Sequence, residues 1–330
     1  MEHAADPLLA IKGLRVELPT QAGLVRVVDG IDLDVAAGHV AGIAGESGSG
    51  KTVSMMAILG LLPAGAAVGG EACFRGYDLL SSSDKELAKR RGKDVALVMQ
   101  DPHSSLHPML SVGAQLTDHV RHHLKLGRRE ARDRAIDLLH QVRIPDPRGS
   151  FDAYPHQFSG GMCQRIAIAI ALACGPSLLI ADEPTTGLDV TVQAGILHLL
   201  HDLGERHNLA MILITHDLGV MSALADHLTV MYAGRVVEAG PTSDVLASPR
   251  HPYTAALLAA LPHPDRPESP LVPIPGHLGG PDRWPSGCAF HRRCAHAQAR
   301  CSQVVPDLVE IGGGRRHACL VDPFGGGHES

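Results

Sequence analysis

Three groups of residues have the types and spacing to do chemistry. Gly45, Glu46, Ser47, Gly48, Ser49, Gly50, Lys51 and Thr52 form a G-x-x-x-x-G-K-[ST] run between an apolar strand, Val40–Ile43, and an apolar helix. Glycines there let successive backbone N–H groups turn inward, and a helix N-terminus favours an anion, so the run reads as a phosphate cradle. Lys51 is expected to pair with the β- and γ-phosphate oxygens of a nucleotide, and Thr52 to give its hydroxyl to Mg²⁺. The second group is the apolar run Leu178–Ala181 ending in Asp182 and Glu183. Alone, it would be an ordinary charged turn. Beside a phosphate loop it is expected to set Asp182 toward Mg²⁺ and Glu183 to polarise the attacking water as a general base. The third group is Cys288, Cys294, Cys301 and Cys319, separated by five, six and seventeen residues. Four thiolates saturate either Zn²⁺ or a [4Fe–4S] cluster, and without a C-x-x-C pair the spacing leaves both open, with unligated thiols behind. His291, His296 and His317 lie nearby as substitute ligands or solvated surface histidines.

The elements that must position these groups alternate. Short β-rich runs fall at Val27–Val35, His39–Ile43, Asp94–Met99, Leu178–Ala181 and Met211–Ile214, with helical patterns at Lys51–Leu61 and Thr191–His207. This predicts an α/β core with buried strands. From about Pro102 to Gly175 the pattern is helical with basic faces, as in Arg128–Val142, and predicts a helical insertion with a solvated charged face. Beyond Pro249, prolines at 262, 264, 267, 270, 273, 275, 281 and 285 read as a linker with little regular structure, leading to the cysteine cluster.

With 330 residues the chain is expected to form two domains, and 45% hydrophobic with 19% charged residues is globular composition. A formal net charge of −6 argues against a general nucleic-acid binder. The start MEHAADPLLAIKG lacks the basic and apolar regions of a signal peptide, which favours metal ligands or redox thiols over disulfides for the clustered cysteines. The most apolar run, Ile166–Ala181, is broken by Gly175-Pro176, so no bilayer span is expected and the chain is read as cytoplasmic. Aromatics make up 3%, and none precedes Phe74.

Phe158-Ser159-Gly160-Gly161-Met162-Cys163-Gln164-Arg165 resembles the ABC-transporter signature, Gln100 stands at that family's Q-loop, and His216 in ITHD matches its switch histidine. The segments Gln100–Pro108, Tyr154–Arg165, Ala181–Gln193, Ile214–Met221, Met231–Gly240 and Arg250–Pro262 are very similar to ATP-binding subunits of dipeptide/oligopeptide permeases, of the D-subunit type. The resemblance covers essentially residues 8 to 320. It implies a P-loop, ABC-type nucleotide-binding domain over 1–250, with a helical subdomain at about 102–175, and a small irregular Cys-rich C-terminal domain over 251–330.

It also implies a mechanism. ATP held by Gly45–Thr52 would be completed by Ser159, Gly160 and Gly161 of a second ATPase domain, with Asp189 contacting across the interface. Glu183 and Gln100 would position water and Mg²⁺, and His216 would contact the γ-phosphate. The segment from Gln100 to about Val112 would receive a cytoplasmic helix of a membrane subunit. Implied partners are two membrane permease subunits, a second homologous ATPase in a heterodimer, and an extracytoplasmic solute-binding protein, with no nucleic acid. The implied place is the cytoplasmic face of the membrane, and the implied activity is ATP hydrolysis energising di- or oligopeptide import. Nickel or another small solute is the alternative cargo, because the ATPase does not touch it. A soluble ABC ATPase without transport and an iron–sulfur regulatory module are more distant readings. The family's tail carries a [4Fe–4S] cluster, which favours that group over Zn²⁺. Several residues depart from the wider family's pattern: Phe158, Met162, Gly187 and His107 stand at substituted positions. Where an aromatic commonly stacks on adenine, Gln21–Gly30 offers only Leu24 and Val25, which predicts apolar packing on the base. Cys163 borders the signature and is either a redox-sensitive thiol or an inert helix position.

Overall fold

The computed structural model describes residues 7–21, 23–261 and 272–324. The first six residues of the chain start, and Pro262, Pro264, Pro267 and Pro270 of the proline-rich stretch, lie outside the described residues. Two compact units interleave along the sequence. One, the phosphate-loop unit, comprises Leu9–Asp34, Ala41–Leu80 and the chain from Thr215; the other, the signature unit, comprises Val35–Val40 and Ser81–Ile214 with residues 7 and 8.

The phosphate-loop unit begins with β1 (Leu9–Thr20), β2 (Gly23–Val35), β3 (Val40–Ala44), α1 (Lys51–Ile58), β4 (Ala67–Phe74) and β5 (Tyr77–Asp78). β2, β1, β4 and β5 form one sheet in that order, with β1 antiparallel to β4 and Leu9 facing Phe74 in register. The signature unit follows with α2 (Asp84–Arg90), β6 (Val95–Val98), α3 (Pro102–Ser105), α4 (Val112–Leu124), α5 (Arg128–Gln141), α6 (Pro147–Phe151), α7 (Gly160–Leu172), β7 (Leu178–Asp182), α8 (Val190–His207) and β8 (Ala210–Ile214). β6, β7 and β8 run parallel, Val98 beside Ala181 and Asp182 beside Ile214. Their near-continuous apolar sequences are those of parallel strands covered on both faces. The chain closes in the phosphate-loop unit with α9 (Leu218–Leu224), β9 (His227–Tyr232), β10 (Arg235–Pro241), α10 (Thr242–Ala247), α11 (Pro252–Ala259), β11 (Val309–Gly312) and β12 (Arg315–His317).

The helical insertion folds as expected. Ala131, Ala135, Leu138 and Leu139 fall on one stripe of α5 and are buried with Val112, Leu116 and Val120 of α4 and Ile166 of α7, which leaves Arg128, Arg129 and Arg132 exposed, while half-buried Arg134 donates to the Ala173 carbonyl at 2.7 Å. The strands expected at Val27–Val35, His39–Ile43, Asp94–Met99, Leu178–Ala181 and Met211–Ile214 are present within a few residues as β2, β3, β6, β7 and β8. The sequence reading lacks β1, β4, β9 and β10. In β4 the reason is local: Gly69 and Gly70 interrupt its side-chain alternation. A Cβ on Gly70 would lie 2.6 Å from the Gly13 carbonyl, so the close strand approach needs glycine there.

The described residues of the tail pack with the phosphate-loop unit rather than around a core of their own. β12 pairs antiparallel with β10, Glu238 opposite His317, and β11 pairs with β12. Phe290, 3% exposed, packs edge-on against Tyr232 and Tyr253 at ring distances of 5.3 Å. The described tail is therefore part of the same unit as the phosphate loop. Between residues 272 and 308 its regular structure is two short 3-10 turns, consistent with a proline-spaced stretch.

Candidate functional site

In the phosphate-loop unit, β3 delivers the chain into the loop and α1 receives it. Gly45 has φ 149°, and a Cβ there would lie 2.2 Å from the Met231 carbonyl, so only glycine fits between loop and β9. Gly50 caps α1 at φ 100°, and Ser54 N–H returns to its carbonyl at 2.9 Å. Lys51, the first residue of α1, is buried at 6% exposure, and its ammonium donates to the carbonyls of Gly45 at 2.7 Å and Glu46 at 2.9 Å. The loop thus bends around its own lysine. Ser47, Gly48 and Thr52 are exposed, while Ser49 is fully buried. His216 belongs to this unit as well: the Thr215 N–H before it donates to Ile43 of β3 at 3.3 Å, two residues ahead of the loop.

The signature unit holds Gln100, Ser159–Gly161, Asp182, Glu183 and Asp189. Asp182 ends β7 and is 6% exposed. Glu183 follows at φ 48°, a left-handed conformation costing about 1 kcal/mol or more for a residue with a side chain. Bonds to its neighbours hold it there: its N–H donates to Ile214 at 2.8 Å, its carbonyl accepts from Thr186 N–H at 3.2 Å, and Thr186 Oγ1 donates to its Oε2 at 2.6 Å. Gln193 of α8 straps the rest of that loop, donating to the carbonyls of Thr185 at 3.1 Å and Leu188 at 3.0 Å. A strained carboxylate over-determined by its surroundings is the usual condition of a reacting group.

Ser159 is the N-cap of α7, its hydroxyl accepting from Met162 N–H, and it is exposed. Asp189 is the exposed N-cap of α8, accepting from Val192 N–H at 3.0 Å. The structure brings these two helix starts together, because a Cβ on Gly161 would lie 2.4 Å from Val192 Cγ1. Val190, beside Asp189, is 81% exposed. Gln100 is exposed at the end of β6, and along the following segment Met109 is 77% and Leu110 41% exposed. Cys163 is fully buried, and burial pushes its thiol up, which favours the inert helix position over the redox-sensitive thiol. Leu24 is exposed and Val25 half-buried on β2.

Among the described residues, no group of three or more His, Cys, Asp or Glu side chains is set as a metal site. The four tail cysteines nonetheless line one cavity of about 20 Å³, and none is in a disulfide. Cys301 Sγ accepts from Gln298 N–H at 3.5 Å and Cys319 Sγ from Asp322 N–H at 3.3 Å. Burial pushes Cys288 up to about 11, and the three neighbouring thiols push in the same direction. The four thiols share a cavity but form no metal-ligating set among the described residues, so the expected [4Fe–4S] or Zn²⁺ site finds no support in this geometry. Of the nearby histidines, His317 is buried and His291 bonds the Cys288 carbonyl at 2.8 Å.

Sequence reasoning missed three residues that build this unit. Glu238 of β10 is fully buried and accepts from Arg250 N–H at 2.8 Å, His251 N–H at 2.9 Å and the Arg315 guanidinium at 3.1 Å. Tyr253 and Arg293 both reach Glu46 in the phosphate loop. An acid inside the apolar run Val236–Gly240 was the available signal for the first.

A family profile described as ABC transporter matches residues 28–186, and one described as oligopeptide/dipeptide transporter, C-terminal region, matches residues 237–301. The chain is similar to the dipeptide transport ATP-binding protein DppD of Escherichia coli, 46% identical over 94% of this chain and 96% of that one. It is 44% identical to the oligopeptide transport ATP-binding protein OppD of the same organism, over 97% of this chain and 94% of that one. Among solved structures it matches the dimeric post-hydrolysis ATP-binding cassette MJ0796 bound to ADP and Pi, with TM-score 0.64 and 25% identity, covering 71% of this chain and 98% of that one.

Proposed function

The chain belongs to the ABC transporter ATP-binding proteins, and from this premise we propose that it is the ATPase subunit that energises a peptide importer. It hydrolyses ATP. The observation that carries the cargo class is similarity to dipeptide and oligopeptide transport ATP-binding proteins over nearly the whole chain, C-terminal region included.

The roles of individual residues follow as the chemistry of their surroundings. Lys51 takes phosphate oxygens while the Gly45 and Glu46 carbonyls keep hold of its ammonium, and the loop N–H groups cradle the β-phosphate. Thr52, Gln100 and Asp182 are the oxygen donors for Mg²⁺; hydroxyl, amide and carboxylate oxygens suit that hard cation. Glu183 accepts a proton from water as it attacks, and His216 contacts the γ-phosphate. The capped, exposed helix start at Ser159–Gly161 is the second anion device, and the exposure of Ser159, Asp189 and Val190 supports its use by another ATPase domain. ATP binding tighter to the closed pair than to the open one then drives the transport movement.

Membrane permease subunits are the partners. Their number as two, the second ATPase as a homologous but different chain, and the extracytoplasmic binding protein are parts of the same proposal. Exposed Met109 and Leu110 support docking of a membrane subunit's helix after Gln100. Among the described residues no helix is long and apolar enough to cross a membrane; the place at the cytoplasmic face belongs to the same proposal. Cys288, Cys294, Cys301 and Cys319 would hold a [4Fe–4S] cluster, with Zn²⁺ the alternative; either would staple a tail that lacks its own core. Purification in mild detergent tests the assembly: membrane subunits are expected to accompany the chain, and their absence would remove the transporter reading.

A further inference from the structure

Three of the scarce aromatic residues gather behind the phosphate loop, all within one unit. Tyr232 and Tyr253 stand 4.6 Å apart by ring centroids, with Phe290 packed on both. Tyr253 has no exposed surface, so its hydroxyl needs a partner. It finds the Glu46 N–H, which donates to it at 2.8 Å. Arg293 lies between Phe290 and Cys294 in sequence, its side chain 9% exposed, and its guanidinium donates to Glu46 Oε2 at 2.8 Å and to the Tyr232 hydroxyl at 3.2 Å. The same guanidinium lies 5.8 Å from the Tyr232 ring and 5.9 Å from the Phe290 ring.

The peptide at Glu46 is therefore gripped on every side. Its N–H is taken by Tyr253, its carboxylate by Arg293, and its carbonyl, with that of Gly45, accepts from the Lys51 ammonium. The grip is itself anchored. Glu238 takes the N–H groups of Arg250 and His251, and His251 Nδ1 accepts from Tyr253 N–H at 3.0 Å as the N-cap of α11. A buried carboxylate on β10 thus sets the start of the helix that carries Tyr253.

We propose that Tyr253 and Arg293 are positioning residues for ATP: acting through Glu46, they fix the Gly45–Glu46 carbonyl pair and so the ammonium of Lys51. The proposal rests on the phosphate-loop reading above. Because Lys51 meets phosphate in ground and transition states alike, loss of either positioning residue raises KM for ATP more than it lowers kcat.

The test is ATP affinity and steady-state hydrolysis by the full chain in its complex, for Tyr253→Phe, Arg293→Gln, Arg293→Lys, Glu46→Gln and the Arg293→Gln/Glu46→Gln double variant, with Lys51→Ala as control. Tyr253→Phe is expected to weaken ATP about fivefold, the worth of one neutral hydrogen bond, and Arg293→Gln about tenfold. Arg293→Lys is expected to recover part of that loss, and the double variant to be no worse than the weaker single one. If Arg293→Gln does not fold, Glu46→Gln and Arg293→Lys break the same pair from its other side and by its charge geometry. Wild-type affinity in Tyr253→Phe and Arg293→Gln while Lys51→Ala has lost ATP would overturn the positioning role, as would full additivity in the double variant. Retained binding by Lys51→Ala would remove the phosphate-loop reading and the positioning role with it.

Discussion

The chain contains two helix N-termini suited to anions, and they are furnished in opposite ways. At the start of α1 the loop is enclosed: Lys51 is buried, its carbonyl partners are fixed, and the second loop residue is held by two side chains of the tail. At the start of α7 the signature is open: Ser159 is exposed and uses its own hydroxyl to cap the helix, and Gly161 is glycine because α8 approaches closely. The first site is supported from within its own unit. The second is shaped and left presented. Under the proposed function, that difference separates the half of the chemistry this chain would perform for itself from the half it would offer to another domain.

The comparison breaks most visibly at the reacting groups. Glu183→Gln is expected to cut ATP turnover by about 100-fold or more while leaving ATP binding in place, measured by phosphate release and by nucleotide retention on a filter. Continued turnover would take Glu183 out of the base role. Lys51→Ala is expected to weaken ATP binding itself by about 100-fold, read by equilibrium titration. Gly161→Val, by contrast, should spare ATP binding by the isolated chain and abolish hydrolysis in the assembled complex. If it lost binding in the isolated chain too, the signature would not be the half that is offered outward.

A smaller effect sharpens the account of the enclosed half. His251 is 2% exposed, and burial holds its pKa down at about 3. The folded state therefore refuses a proton that the unfolded chain accepts near its ordinary value of 6.5. The stabilisation from neutral His251 is complete above pH 6.5 and is lost progressively as pH falls from there toward 3, amounting to a few kcal/mol over that window. Denaturant midpoints at pH 7 and pH 5 should differ accordingly, and His251→Gln should flatten the difference.

Much of this was legible in the sequence because the chemistry is local. The phosphate loop, the Leu178–Asp182 strand with Glu183, and the signature each lie in one short run whose spacing states its geometry. What was not legible is non-local. Glu46 and Tyr253 are 207 residues apart, and Glu46 and Arg293 are 247 apart, so nothing in either neighbourhood announces the pairing. The tail strands β11 and β12 have four and three residues, too short for a period-2 signal, and they form because β10 offers an edge. The scarcity of aromatics raised the question of how adenine is held; the structure adds that three of the aromatics gather beside the phosphate loop, where Tyr253 bonds Glu46.

Uptake of a labelled dipeptide tests the central claim most directly. In cells lacking the native gene, the wild-type chain should restore ATP-dependent uptake and the Glu183→Gln chain should not. Uptake that proceeds equally with either, or with neither present, would contradict the account.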